Sequence, residues 1–192
     1  KGVKVMSLYA FSTENWNRPQ DEIDHLFEYL RLFFKKEINR IIKDGSKVMV
    51  SGDISRIPKK TRDVILDCIE KTKDCTNFVF NICLNYGGKD EIVRATKKIA
   101  EEVKNGFLDI NDINEKTFEN YLYTKGLPPV DLLIRTSGEM RTSNFLLWQL
   151  AYAEFIFTKT CWPDFNKKEL FECFEQFKSR DRRYGGIEDE KH

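Results

Sequence analysis

The chain has 192 residues, and its 32 lysines and arginines are matched by 31 aspartates and glutamates, for a net charge of +1. Both signs are spread through the two halves, which excludes a simple polybasic nucleic-acid binder, and 41% hydrophobic with 13% aromatic content excludes a disordered chain. The length suits one domain over residues 1–192 with a sizeable core, and no apolar run approaches the ~18–20 residues needed to cross a bilayer. Cys68, Cys75, Cys83, Cys161 and Cys173 form no C-x-x-C pair, which points to a reducing compartment without structural zinc.

In chain order, Lys4 to Phe11 reads as a buried strand. After Arg18-Pro19 the apolar positions Ile23, Leu26, Phe27, Leu30, Phe33, Phe34, Ile38, Ile41 and Ile42 follow helical spacing up to Gly45. Lys47 to Ser51 is a second strand, Lys59 to Thr72 a helix, Asn77 to Leu84 a third strand and Lys89 to Lys104 another helix. A short helix near Glu115 to Tyr123 precedes the turn Pro128-Pro129. Asp131 to Ile134 and Glu154 to Thr158 are the last strands, and Asn166 to Arg180 closes the order as a helix. Strands that alternate with helices and read as continuous apolar runs predict an α/β fold: an open, mainly parallel sheet with helices on both faces.

Ligands of such sheets bind beyond the carboxyl ends of the strands. The first strand exits into Ser12-Thr13-Glu14-Asn15-Trp16-Asn17-Arg18, the second into Gly52-Asp53, the third into Asn85-Tyr86-Gly87-Gly88 and the fourth into Arg135-Thr136-Ser137-Gly138-Glu139. Arg135, with Arg141 and Ser143 six and eight residues on, sets two permanent cations and a hydroxyl in one loop. Guanidinium groups bind diphosphate bidentately, and Gly138 lets backbone N–H groups approach. An exposed loop whose arginines pair with Glu139 explains the same residues. Ser12, Asn15 and Arg18 around Trp16 fit either a polar site or an Asx-type turn capping the next helix. Glu154 lies in an apolar run, where a carboxylate needs a metal or an ion pair to Arg135 or Arg141. Asn85-Tyr86-Gly87-Gly88 matches neither standard nucleotide loop and reads first as a strand-to-helix turn. His25 reads as a packing or surface residue, and the stripe of the long helix as core or as the wall of an apolar slot.

The runs Tyr9 to Pro19, Asn85 to Gly88, Ile134 to Glu139 with Arg141, Ser143 to Gln149, Trp162 to Phe165 and Arg182 to Gly186 resemble, in order and across nearly the whole chain, the motifs of the cis-prenyltransferases of the undecaprenyl diphosphate synthase kind. The resemblance implies a homodimeric enzyme that adds isopentenyl diphosphate to an allylic diphosphate such as farnesyl diphosphate, with Mg²⁺ as cofactor. It assigns Ser12, Asn15 and Trp16 to the reacting carbons and Arg18 to a diphosphate. Isopentenyl diphosphate goes to Arg135, Arg141 and Ser143, and metal handling to Glu154. Ala10, the long helix and the third strand would line a tunnel for the growing chain. Arg183-Tyr184-Gly185 would reach the site of the other subunit. The family's opening H-x-x-[IM]-D-G-N-x-R-W-A motif has no counterpart from Lys1 onward, so the expectation is an N-terminally truncated chain, inactive alone. A non-catalytic partner subunit is the alternative. Cytoplasmic location, peripheral membrane contact and no nucleic-acid partner complete the expectations.

Overall fold

Among the described residues the strands pair in parallel, the arrangement in which continuous apolar strands are usually found. The structure is a computed structural model that describes residues 2–180, in two units divided after Pro128. In the first, β1 (Val5–Ser12), β2 (Ser46–Ser51) and β3 (Phe78–Tyr86) form a sheet in the order β1-β3-β2. Ser7 pairs with Asn81 and Leu8 with Ile82, while Val48 and Val50 flank Phe80 and Ile82 from the other side. Two register shifts interrupt the β1–β3 ladder: Ala10 has no partner between the pairs Tyr9–Cys83 and Phe11–Leu84, and Asn85 has none before Ser12–Tyr86. Such bulges bend the strand ends and re-aim side chains.

Helices α1 (Gln20–Lys43) and α2 (Lys59–Thr72) cover one face. There Phe11, Ile23, Phe27, Phe34, Val48, Ile65, Ile82 and Leu84 form the core, with Leu26, Leu30, Ile38 and Ile41 packed against it. The apolar stripe of α1 is narrower than the spacing predicts, because Phe33 and Ile42 are 44% and 39% exposed. At about 100° per residue they lie roughly 80–100° from the line through Ile23 and Phe27, on the flanks of the helix. Gly45, with φ at +66°, ends α1 in the left-handed conformation that favours glycine.

On the other face a polar line crosses all three strands: Asn81 Nδ2 donates to Ser7 Oγ at 3.0 Å and Ser51 Oγ donates to Asn81 Oδ1 at 2.9 Å. Helix α3 (Gly88–Lys104) turns buried Glu91 inward, where its carboxylate accepts from Tyr86 Oη at 2.6 Å and from the Tyr123 N–H at 2.7 Å. The short α4 (Glu115–Glu119) starts on Asn114, whose side chain accepts from the Thr117 N–H.

The second unit pairs β4 (Leu132–Arg135) with β5 (Glu154–Phe157) and ends in α5 (Lys167–Lys178). Asn166 and Glu169 cap α5 reciprocally, and Leu133, Phe145, Leu146, Leu150, Ile156 and Cys173 are its buried side chains. Among the described residues no helix is long and apolar enough to cross a membrane.

The buried Cys83 thiol and Tyr86 hydroxyl are pushed above their ordinary values by burial first and by the Glu91 charge second. Burial pushes Cys68 up to about 11. Unfolded thiols titrate near 8.5 and phenols near 10, so above those values the unfolded chain releases protons that the folded chain keeps. Stability is therefore full below about pH 8 and falls as pH rises, by about 1.4 kcal/mol per pH unit for each group that the unfolded state has ionised. Urea titrations from neutral to strongly alkaline pH should show this decline. Cys83→Ala should make it shallower, and an unchanged slope would contradict the assignment.

Candidate active site

The carboxyl end of β1 runs into a 3-10 turn over Thr13–Asn17, and the turn is closed by one of the candidate residues. The Ser12 N–H donates to Asn15 Oδ1 at 2.8 Å, and the Arg18 N–H donates to the Asn15 carbonyl at 3.0 Å. Asn15 thus closes the 3-10 turn and brings Ser12, Asn15 and Trp16 onto it, whereas the long helix that follows starts on Pro19 with no side-chain cap, so the segment does not cap that helix. Arg18 instead reaches along the first turn of α1 to Glu22, at 2.6 Å in an exposed pair. His25 is exposed on α1.

The Trp16 indole is held on several sides. Phe11 and Phe27 lie at ring-centroid distances of 5.0 and 5.7 Å, and the Arg56 guanidinium stands 4.7 Å over the ring. Its Nε1–H donates to Asn85 Oδ1 at 2.8 Å, and Asn85 Nδ2 donates to the Asp53 carbonyl at 2.6 Å. The exits of β1, β2 and β3 are thereby tied to one another. Asp53 also accepts from the Ser55 N–H at 2.9 Å, and that hydrogen bond holds its carboxyl below the ordinary carboxylate range. Asn85 was visible in the sequence as part of a glycine-rich turn and of one family-like run but with no role of its own, and Arg56 carried no signal beyond following the Gly52-Asp53 exit.

At the carboxyl end of β4, Arg135 Nη1 donates to Ser143 Oγ at 2.7 Å and to the carbonyl of Arg141. Arg135, Arg141 and Ser143 therefore share one loop arrangement. Arg141 pairs with Glu139, as the simpler reading of the sequence has it, and its side chain is largely exposed. The backbone differs from expectation. Ser137 and Gly138 take positive φ, but their N–H groups donate to the carbonyls of Thr160 and Thr158, both at 2.8 Å. These donors knit the β4 and β5 exits together and are taken up by backbone carbonyls.

Glu154 opens β5 and pairs with neither Arg135 nor Arg141. Arg180 Nη1 donates to Glu154 Oε2 at 2.6 Å and to the Phe155 carbonyl at 3.0 Å. Register explains this: Glu154 lies opposite Leu132, and Arg135 is three residues further along β4, about 10 Å of strand. No group of three His, Cys, Asp or Glu side chains that could hold a metal occurs among the described residues. Glu154 offers a single carboxylate, engaged by Arg180, and Mg²⁺ commonly takes one or two carboxylates and completes its shell with substrate phosphates and water. Arg183-Tyr184-Gly185 lies outside the described residues.

Residues 1–185 match the family model described as "Putative undecaprenyl diphosphate synthase". An isoprenyl transferase of Clostridium perfringens is 52% identical over 186 residues, covering 97% of this chain and 74% of the relative. The ditrans,polycis-undecaprenyl-diphosphate synthase ((2E,6E)-farnesyl-diphosphate specific) of Lactiplantibacillus plantarum is 47% identical over 193 residues, covering 99% of this chain and 74% of its own length. Among solved structures, lavandulyl diphosphate synthase from Lavandula x intermedia, in complex with dimethylallyl diphosphate, superposes with a TM-score of 0.93 at 35% identity, covering 96% of this chain and 80% of that one. With parallel strands, polar strand exits and these likenesses agreeing, the chain belongs to the cis-prenyltransferase family of undecaprenyl diphosphate synthases and is a prenyltransferase.

Proposed function

We propose that the enzyme condenses isopentenyl diphosphate with an allylic diphosphate, farnesyl diphosphate in the first instance, and repeats the addition to give a long polyprenyl diphosphate with cis double bonds. In each cycle the allylic carbon–oxygen bond breaks and diphosphate leaves with the electron pair. The terminal alkene carbon of isopentenyl diphosphate bonds to the allylic carbon, and as the neighbouring C–H bond breaks its electron pair forms the new double bond while the proton passes to water or to the released diphosphate. The observation that carries the reading is the Arg135–Ser143–Arg141 loop, whose two guanidinium groups and hydroxyl are the donors a diphosphate takes.

In this reading Arg135 and Arg141 bind the diphosphate of isopentenyl diphosphate, with Arg141 exchanging Glu139 for the substrate, and Ser143 adds a hydroxyl donor. Ser12, Asn15 and Trp16 face the reacting carbons. Trp16 supplies an apolar wall, and Asn15 assists the departure of the proton through its side-chain amide. Arg18 exchanges Glu22 for a substrate phosphate. Mg²⁺, when bound, neutralises charge on the departing diphosphate, and Glu154 is the carboxylate that would hold it after release from Arg180. Ala10, α1 and β3 would enclose the growing chain, with each buried CH₂ contributing about 0.8 kcal/mol. The homodimer, the cytoplasmic location and the peripheral contact with the membrane rest on the family resemblance.

The test is transfer of labelled isopentenyl units into lipid by the protein its gene encodes, and no lipid product overturns the proposal. Arg141→Ala should weaken isopentenyl diphosphate binding by about 10- to 100-fold, the equivalent of one charge-assisted contact of 1.5–3 kcal/mol. Farnesyl diphosphate binding should change by less than about 3-fold. Equal losses in calorimetric titrations of the two ligands would contradict this division of the site.

A further inference from the structure

Asn85 combines three unusual properties. It takes φ at +48°, it is only 5% exposed, and it is the β3 residue left without a partner by the register shift between Phe11–Leu84 and Ser12–Tyr86. A non-glycine residue in the left-handed region at the end of a central strand is uncommon, and asparagine tolerates it better than most. The side chain uses both ends: Oδ1 takes the Trp16 N–H and Nδ2 gives to the Asp53 carbonyl. Its own carbonyl accepts from the Asp53 N–H at 3.3 Å. Serine is too short to span Trp16 and Asp53, aspartate lacks the donor, and glutamine carries an extra carbon into a buried space.

The indole N–H is the single polar atom of the Trp16 side chain, and the ring is otherwise held by Phe11, Phe27 and Arg56. Those contacts resist tilting of the ring, but the hydrogen bond to Asn85 is the directional one and sets its rotation within the plane. We propose that Asn85 is the positioning residue of the site: it fixes the Trp16 indole and couples it to the Gly52-Asp53 turn, so that the three strand exits hold one geometry as substrate enters. The proposal rests on the reading above in taking Trp16 to act at the reacting carbons. The tether itself does not depend on that reading.

Two variants separate positioning from mere stability. Asn85→Gly preserves the backbone conformation and removes both side-chain hydrogen bonds. Asn85→Asp keeps the acceptor for Trp16 and loses the donor to Asp53. The first readout is hydrogen exchange of the Trp16 indole N–H by NMR, with the resonance identified by its loss in Trp16→Phe. The second is kcat and KM for isopentenyl transfer. In Asn85→Gly the indole N–H should lose protection at least 10-fold and kcat should fall about 10- to 100-fold with KM within 3-fold. In Asn85→Asp, which keeps the acceptor for Trp16 and breaks the tie to Asp53, protection should stay within 3-fold of the parent, while kcat falls about 3- to 10-fold and the melting temperature falls. Adding Asn85→Gly to Trp16→Phe should cost no further kcat.

Unchanged protection in Asn85→Gly, or a loss additive to that of Trp16→Phe, overturns the proposal. Should Asn85→Gly not fold, Asn85→Asp decides alone: lost protection in a folded protein overturns the tether, retained protection with unchanged kcat overturns the coupling to Asp53, and retained protection with the smaller loss of kcat supports both. A parent protein without isopentenyl transfer overturns the functional reading instead, and the exchange measurement still judges the tether.

Discussion

Arg135→Ala is expected to lower kcat/KM for isopentenyl diphosphate by about 10²- to 10³-fold, more than Arg141→Ala, while the melting temperature shifts little. One charge-assisted contact with a diphosphate accounts for about 10- to 100-fold. The remainder comes from the loop, because the Arg135 guanidinium also holds Ser143 Oγ and the carbonyl of Arg141 and so organises the other two donors. Arg141 projects into solvent against Glu139 and organises nothing else in this way. The small stability change follows from exposure, since water replaces the lost donor at the freed oxygens. Arg135→Lys restores the charge but not the planar fork, and a lysine cannot hold both oxygens and a phosphate in the same geometry. It should recover no more than about 10-fold of the loss. Steady-state kinetics on the three variants at saturating farnesyl diphosphate tests this order, and an Arg135→Lys enzyme as active as the parent would rule out the organising role.

The parallel α/β class was legible because strands buried on both faces must be apolar throughout, and Val5–Ser12 and Phe78–Tyr86 are close to such runs. The strand exits followed from the same topology, which is why Ser12, Asn15, Trp16, Arg135, Arg141 and Ser143 could be singled out by position as well as by resemblance. The pairing of Glu154 with Arg180 was hidden. It joins residues 26 apart through the packing of the chain segment after α5 against β5, and periodicity carries no record of such a contact. Asn85 was hidden for a different reason. Its role depends on two register shifts that no alternation pattern announces, one at Ala10 and one at Asn85 itself. The N–H groups of Ser137 and Gly138 illustrate the converse error: a glycine in an anion-suited loop suggested backbone donors, and the backbone spends them on Thr160 and Thr158.

Gly52→Ala should destabilise the protein by about 3–5 kcal/mol, a large part of the 5–15 kcal/mol typical of a folded domain. Gly52 follows the last residue of β2 with φ at +129°, where side chains are strained. A Cβ there would stand 2.1 Å from the Leu84 carbonyl oxygen and 3.0 Å from that of Asn85, both backbone atoms of the central strand. Neither can rotate away, so the exit of β2 must move off β3. That movement pulls Asp53 from both of its hydrogen bonds to Asn85, at 2.6 and 3.3 Å, each contributing about 1 kcal/mol, in addition to backbone strain of about 1–3 kcal/mol. Gly106→Ala is the matched control: φ is +73° and nothing lies within 4 Å of the new methyl group, so only the left-handed conformation is penalised, by about 1–2 kcal/mol. Urea midpoints of the two variants measure the difference. If Gly52→Ala is as mild as Gly106→Ala, the close approach of β2 to β3 does not constrain the strand exits, and the coupling of Asp53 to Trp16 through Asn85 loses its structural basis.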